Sequence, residues 1–173
     1  MDSIFEKIVD RISSYNIVNY ALPGTIFVYT SKCLLDKNIL VNSWIENFIL
    51  CYFIGMILSR IGSLIIEPLF KKMRLKYAPY NDYIEASRDD LQILLLLETN
   101  NMYRTFIATF LVLIILKPYL YLEQLMNKAN NIVFNEIKTF ILLSALCTLF
   151  ICSFIKQTEY IRKRVVAYKT RKK

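Results

Sequence analysis

The stretch Asn47-Phe-Ile-Leu-Cys-Tyr-Phe-Ile-Gly-Met-Ile-Leu-Ser-Arg-Ile-Gly-Ser-Leu-Ile-Ile66 contains one charge, Arg60. At about 1.5 Å of rise per residue, a helix of this length covers the ~30 Å hydrocarbon core of a bilayer. It lacks the two-residue alternation of a barrel strand and is too long for one. Residues 12–31 and 139–155 form two further stretches of this kind, both uncharged, and residues 105–122 form another, interrupted by Lys117 and Pro118. Of the 173 residues, 55% are hydrophobic and 21% charged, more apolar side chain than a soluble domain of this size can bury. The expected fold is all-α: one domain, an integral membrane four-helix bundle with spans at about 12–31, 47–66, 105–122 and 139–155.

The basic residues orient these spans. Two precede the first span, six lie between the second and third, and eight follow the fourth, so sixteen share one side. The other side carries five: Lys32, Lys37, Lys117, Lys128 and Lys138. Lysine and arginine are retained on the cytoplasmic face. A multi-pass protein of the cell inner membrane is expected, with both termini and the middle segment in the cytoplasm. The first residues, MDSIFEKIVD, mix acids with bases and do not read as a cleaved signal.

The cytoplasmic parts are long and charge-patterned. Segment 67–104 is basic around Lys71 to Lys76, then acidic through Asp82, Glu85, Asp89, Asp90 and Glu98. Asn81 or Asp82 can cap a helix after Pro79, and the apolar run Leu91-Gln-Ile-Leu-Leu-Leu-Leu97 is expected to continue it, feeding into the third span. The tail 156–173 is expected to prolong the fourth helix. Its bases, Arg162, Lys163, Arg164, Lys169, Arg171, Lys172 and Lys173 among them, suit contact with anionic lipid, at ~1 kcal/mol each.

Within the spans, Gly55, Ser59, Gly62 and Ser63 recur at helical spacing, and small residues let backbones approach closely. They serve either packing within the chain or a seam between copies in a homo-oligomer. Arg60 and Glu67 are the intramembrane charges; a charge at the bilayer centre costs around 3 kcal/mol. Arg60 can snorkel, pair with Glu67 or Glu98, or meet a neighbouring subunit. Pro23-Gly24 predicts a bend in the first span, and Trp44, Tyr119 and Tyr121 suit the membrane interface.

The chain has no histidine, the commonest general base and metal ligand. Its four cysteines show no CxxC pair, and three lie in apolar runs, where a thiol behaves as a small hydrophobe. Cys33 and Cys51 both approach the outer face, which leaves a disulfide open as the alternative to free thiols. No Walker, Rossmann or zinc signature is present, so neither catalysis nor a cofactor is expected. Charge alone is a poor warrant for nucleic acid without a recognition motif, and direct binding is not expected.

Three stretches, Asn19-Tyr-x-Leu-Pro-Gly-x-x-Phe27, Gly55-x-x-x-Ser-Arg-Ile-Gly-Ser-Leu-Ile-Ile-Glu-Pro68 and Ala78-Pro-Tyr … Asn100-Asn-Met-Tyr-Arg-Thr105, together resemble a group of small bacterial four-helix membrane proteins encoded in anti-phage defence loci, among them the membrane components of Kiwa systems. The resemblance covers most of residues 16–105. It implies a membrane sensor that assembles as an oligomer and works with a cytosolic effector. The functional expectation is therefore a membrane-anchored sensor or scaffold that recruits a soluble protein through the acidic stretch or the basic tail. The alternative is an oligomeric pore with Arg60 facing inward.

Overall fold

The computed structural model describes residues 17–35, 40–125 and 133–171, and among them the chain is all-helical. Among the described residues five helices follow in order. Helix α1 covers 17–35, a π-helical turn (Ile17–Ala21) running into an α-helix (Leu22–Leu35). Helix α2 is Trp44–Lys72, α3 is Tyr80–Asp89, α4 is Leu91–Leu125 and α5 is Val133–Arg171. Three of them are long and apolar enough to cross a membrane, by the stretches Trp44–Lys72, Leu91–Leu116 and Thr139–Arg171. The expected first span begins outside the described residues, and its described part lies in α1.

The two wide turns have a local cause. Proline cannot donate a backbone hydrogen bond, and its ring presses on the carbonyl four residues back. For Pro23 that carbonyl belongs to Asn19, inside the turn Ile17–Ala21; for Pro68 it belongs to Leu64, inside the turn Gly62–Ile66. A π turn widens the helix at that carbonyl and lets the chain continue. Pro23, where a bend was expected, is thus accommodated by a wide turn just before it.

Helix α2 opens at Ser43, whose Oγ accepts a hydrogen bond from the Glu46 amide at 3.5 Å. It closes with Arg74 at φ 65°, while the Leu75 amide returns to the Phe70 carbonyl at 3.0 Å. This is the usual glycine-terminated helix end with arginine in the left-handed position.

Helix α4 is the centre of the molecule and touches each of the other four. Residues 105–110 are buried one after another, which requires neighbours on every side. Phe150 of α5 packs against Phe106 (4.6 Å between ring centroids), Phe110 (5.7 Å) and Tyr103 (5.9 Å). These three recur every three or four residues, so one face of α4 meets one ring of α5. The outward faces stay apolar: Ile49, Phe53, Ile57 and Leu64 on α2, and Ile141, Leu142 and Leu149 on α5, are exposed. Apolar side chains directed outward along whole helices match a hydrocarbon surrounding. Trp44, at the start of α2, is also exposed.

Two expectations for segment 67–104 are corrected. The acidic stretch and the leucine run are not one helix: Asp90 is extended (φ −129°, ψ 92°) and separates α3 from α4. The first helix is also not capped by Asn81 or Asp82; Pro79 stands at that position without a side-chain cap. Asp90 caps the next helix instead, its Oδ1 accepting from the Gln92 amide at 3.1 Å. Continuation of the leucine run into the third span, and of the tail into α5, is as expected. All four cysteines are free, Cys51 and Cys147 buried, Cys33 and Cys152 exposed.

Candidate functional site

Polar groups converge where the apolar stretches give way to the charged segments. The layer has two parts, a clasp between α3 and α5 and a pocket between the clasp and the apolar core.

The clasp follows from two complementary helical patterns. On α5, Ile161, Val165 and Tyr168 share one face, with Arg164 and Lys169 beside them. On α3, Ala86 faces inward, flanked by Asp82 and Asp89, and Asp90 follows. The apolar face of α5 closes over Ala86 and over Ile93 of α4, both fully buried, with Tyr83 and Leu96 alongside. Around this small core the charges pair: Arg164 donates to Asp90 (Nε to Oδ2, 2.6 Å; Nη2 to Oδ1, 3.2 Å) and Lys169 donates to Asp82 at 2.5 Å. Tyr168 donates to Asp89. The hydrogen bond from Arg164 holds the Asp90 carboxyl below its ordinary 3.8, outweighing the opposing effect of desolvation.

Below the clasp, Glu67 at the end of α2 receives Arg104 of α4 at 2.5 Å and Lys71 at 2.8 Å. Asn100 donates to Thr158 of α5 at 3.0 Å, both buried, and Gln157 donates to the Leu96 carbonyl at 3.2 Å. Thr105 donates to the Asn101 carbonyl at 2.9 Å and stands 3.5 Å from Asn19 Oδ1 on α1. Glu67, Lys71, Asn100, Asn101, Arg104 and Thr158 border a cavity of about 340 Å³ walled also by Tyr77, Tyr80, Tyr83, Leu97 and Ile161. Burial, and next the Glu67 carboxylate, push the Tyr77 hydroxyl up to about 12, so it is a neutral donor at physiological pH.

The structure distributes the residues singled out in the sequence as follows. Of the acids expected to bind a partner, Asp82, Asp89 and Asp90 are engaged with the tail of the same chain. Glu85 is exposed and Glu98 half-buried near Tyr83. Of the bases expected at lipid, Arg164 and Lys169 are in the clasp, and Arg162 and Lys163 lie 3.9 and 3.0 Å from Glu159. Arg171 is exposed; Lys172 and Lys173 lie outside the described residues. The glycines of α2 are used within the chain. A Cβ on Gly55 would stand 1.8 Å from the Tyr20 carbonyl oxygen of α1, and one on Gly62 would stand 3.2 Å from Arg104. Ser59 is buried and Ser63 half-buried. Arg60 is exposed on the flank of α2 and forms no pair with Glu67, whose partners are Arg104 and Lys71.

Arg104, Asn100, Asn101, Thr105 and Thr158 were not singled out as site residues in the sequence. A signal was present: positions 97, 100, 101, 104 and 105 fall on one helical stripe that is polar apart from Leu97. Among the described residues no three His, Cys, Asp or Glu side chains gather as a metal site. No protein-family model, curated protein or solved structure matches the chain.

Proposed function

We propose that the chain is a non-catalytic, four-span inner-membrane sensor or scaffold, with both termini in the cytoplasm, that assembles as a homo-oligomer and recruits a cytosolic effector. The carrying observation is the continuity of α4 and α5 from the apolar bundle into the clasp. At about 1.5 Å per residue, helices of 35 and 39 residues reach roughly 52 and 58 Å, well beyond a ~30 Å core. Their excess length carries α3 as a folded platform joined to the membrane helices without a flexible linker. A change in helix packing within the bilayer therefore moves the platform, and a soluble protein docked there senses it. The sensor, oligomer and effector parts of this reading come from the resemblance to membrane components of anti-phage defence loci. The acids are partly engaged by the tail, so the docking face includes the exposed Tyr80, Arg88, Leu91 and Leu95 beside them.

The test is crosslinking mass spectrometry on the full chain in native membranes. The reading predicts that one soluble cytosolic protein crosslinks to lysines of segment 71–90 or the tail, and that Tyr80→Ala with Arg88→Glu removes it while chain-to-chain crosslinks persist. A reporter fused after Lys173 that is active only in the periplasm overturns the orientation, and the docking model with it.

An oligomeric pore is the second reading, favoured by one observation: Arg60 is an exposed cation with no partner among the described residues. Planar-bilayer recording of wild type against Arg60→Ala separates the two; absence of conductance removes the pore.

A further inference from the structure

Beside the cavity below the clasp lie two donors with nothing to donate to, both shut off from its open space. Arg104 Nε and Tyr77 Oη are both buried without a hydrogen-bond partner, and both residues line the space. An unmet buried donor is costly, and the arrangement is stable when an acceptor occupies the cavity. The charge is also unbalanced: Arg104 and Lys71 face Glu67 alone, and each Glu67 oxygen already accepts from one of them. The ammonium of Lys71 additionally lies 5.3 Å from the Tyr77 ring centroid, which keeps this cation at the mouth. The remaining wall is largely aromatic and aliphatic, with Tyr80, Tyr83, Leu97, Phe154 and Ile161.

We infer that this cavity is a binding site for a ligand with one anionic oxygen group, a phosphate ester, attached to an apolar body. On binding, side-chain rotation brings Arg104 Nε and Tyr77 Oη to the cavity, where the phosphate oxygens accept from them and neutralise the surplus cation, while the apolar part lies along the tyrosines and Leu97. A guanidinium suits phosphate through its fixed planar donors. Because Glu67, Arg104 and Asn100 come from α2 and α4 and Thr158 from α5, an occupant ties the three membrane-length helices together at the base of the platform. The site depends on the fold alone, not on effector recruitment.

Two sources share this chemistry, an anionic lipid headgroup and a soluble phosphate compound. The experiment uses the purified full chain in maltoside micelles with phosphatidylglycerol, inorganic phosphate and uncharged diacylglycerol as separate titrants, read by calorimetry and thermal unfolding. Phosphatidylglycerol is expected to bind and raise Tm, diacylglycerol to leave it unchanged. Tyr77→Phe keeps the ring beside Lys71 and removes only the hydroxyl. It is expected to weaken binding about tenfold, the loss of one hydrogen bond to a charged group, with the unliganded Tm unchanged or higher. Binding of phosphatidylglycerol alone identifies a headgroup; binding of inorganic phosphate, weakened in the same way by Tyr77→Phe, identifies a soluble source. Binding of neither, or equal binding by wild type and Tyr77→Phe, overturns the inference.

Discussion

Single residues set how closely the helices approach. Gly24 and Gly55 lie where α1 and α2 cross, and a Cβ on either would stand 1.8 Å from a backbone oxygen of the other helix, Cys51 for Gly24 and Tyr20 for Gly55. Backbone cannot rotate aside, so Gly55→Ala is expected to destabilise by about 1–3 kcal/mol, seen as a lower Tm in detergent. At Gly62 the nearest atoms, the Arg104 side chain and the Arg104 carbonyl oxygen, both stand 3.2 Å away, so a smaller shift makes room and Gly62→Ala should cost less. Arg74 has the opposite character. Its left-handed φ of 65° opposes an L side chain, so Arg74→Gly is expected to raise Tm, by up to about 1 kcal/mol of stability after the added freedom of the unfolded chain. The sequence displayed the small residues at their spacing but not which helix they meet, because a stripe describes one surface and close approach needs two. It also could not mark the end of α2, where arginine occupies the position that glycine normally signals.

At the scale of elements, α3 is held by the clasp and α4 by its neighbours on all sides. The clasp charges are partly exposed and so screened by salt, whereas the contacts around Phe150 are not. Hydrogen exchange should therefore show residues 80–89 opening several-fold faster in 1 M salt, with residues 105–113 unchanged. Acid acts through the same contact. Arg164 depresses the Asp90 pKa, so the stabilisation is complete above the ordinary carboxylate value of 3.8 and lost as pH falls through the lower folded value. Asp90→Asn is expected to loosen α3 at neutral pH and to abolish that acid dependence, measured by exchange at pH 7 and below pH 4. Long apolar runs made α2, α4 and α5 legible, since lipid solvation demands length and composition alone. The break at Asp90 was not legible: its acids and the following leucines are both compatible with helix, and Asp90 takes the extended backbone of an N-cap while its carboxylate also meets Arg164. The site was half visible. Complementary acidic and basic blocks stood out, but read separately they pointed outward to partners, whereas Asp90 and Asp82 meet Arg164 and Lys169 of the tail.

For the whole molecule, an apolar bundle and a charged platform form one body, because α4 and α5 belong to both and α3 is clasped between their extensions. Segregation of lysine and arginine, visible in the sequence, is what makes the platform possible: the tail bases lie near enough to the acids of α3 to pair only if both remain on one side of the membrane. Thiol crosslinking tests this most directly. With Cys33, Cys51, Cys147 and Cys152 replaced by serine or alanine, Asp82→Cys and Lys169→Cys are introduced together in the full chain and treated with a short bis-maleimide in native membranes, because a lysine–aspartate pair does not bring the two Cβ atoms as close as a direct disulfide needs. A rapid crosslink within one chain is expected, absent in either single variant. A pair that stays unlinked, although each thiol reacts with a monofunctional maleimide and the chain remains folded and membrane-embedded, would show that α3 and the tail do not meet and would contradict the platform.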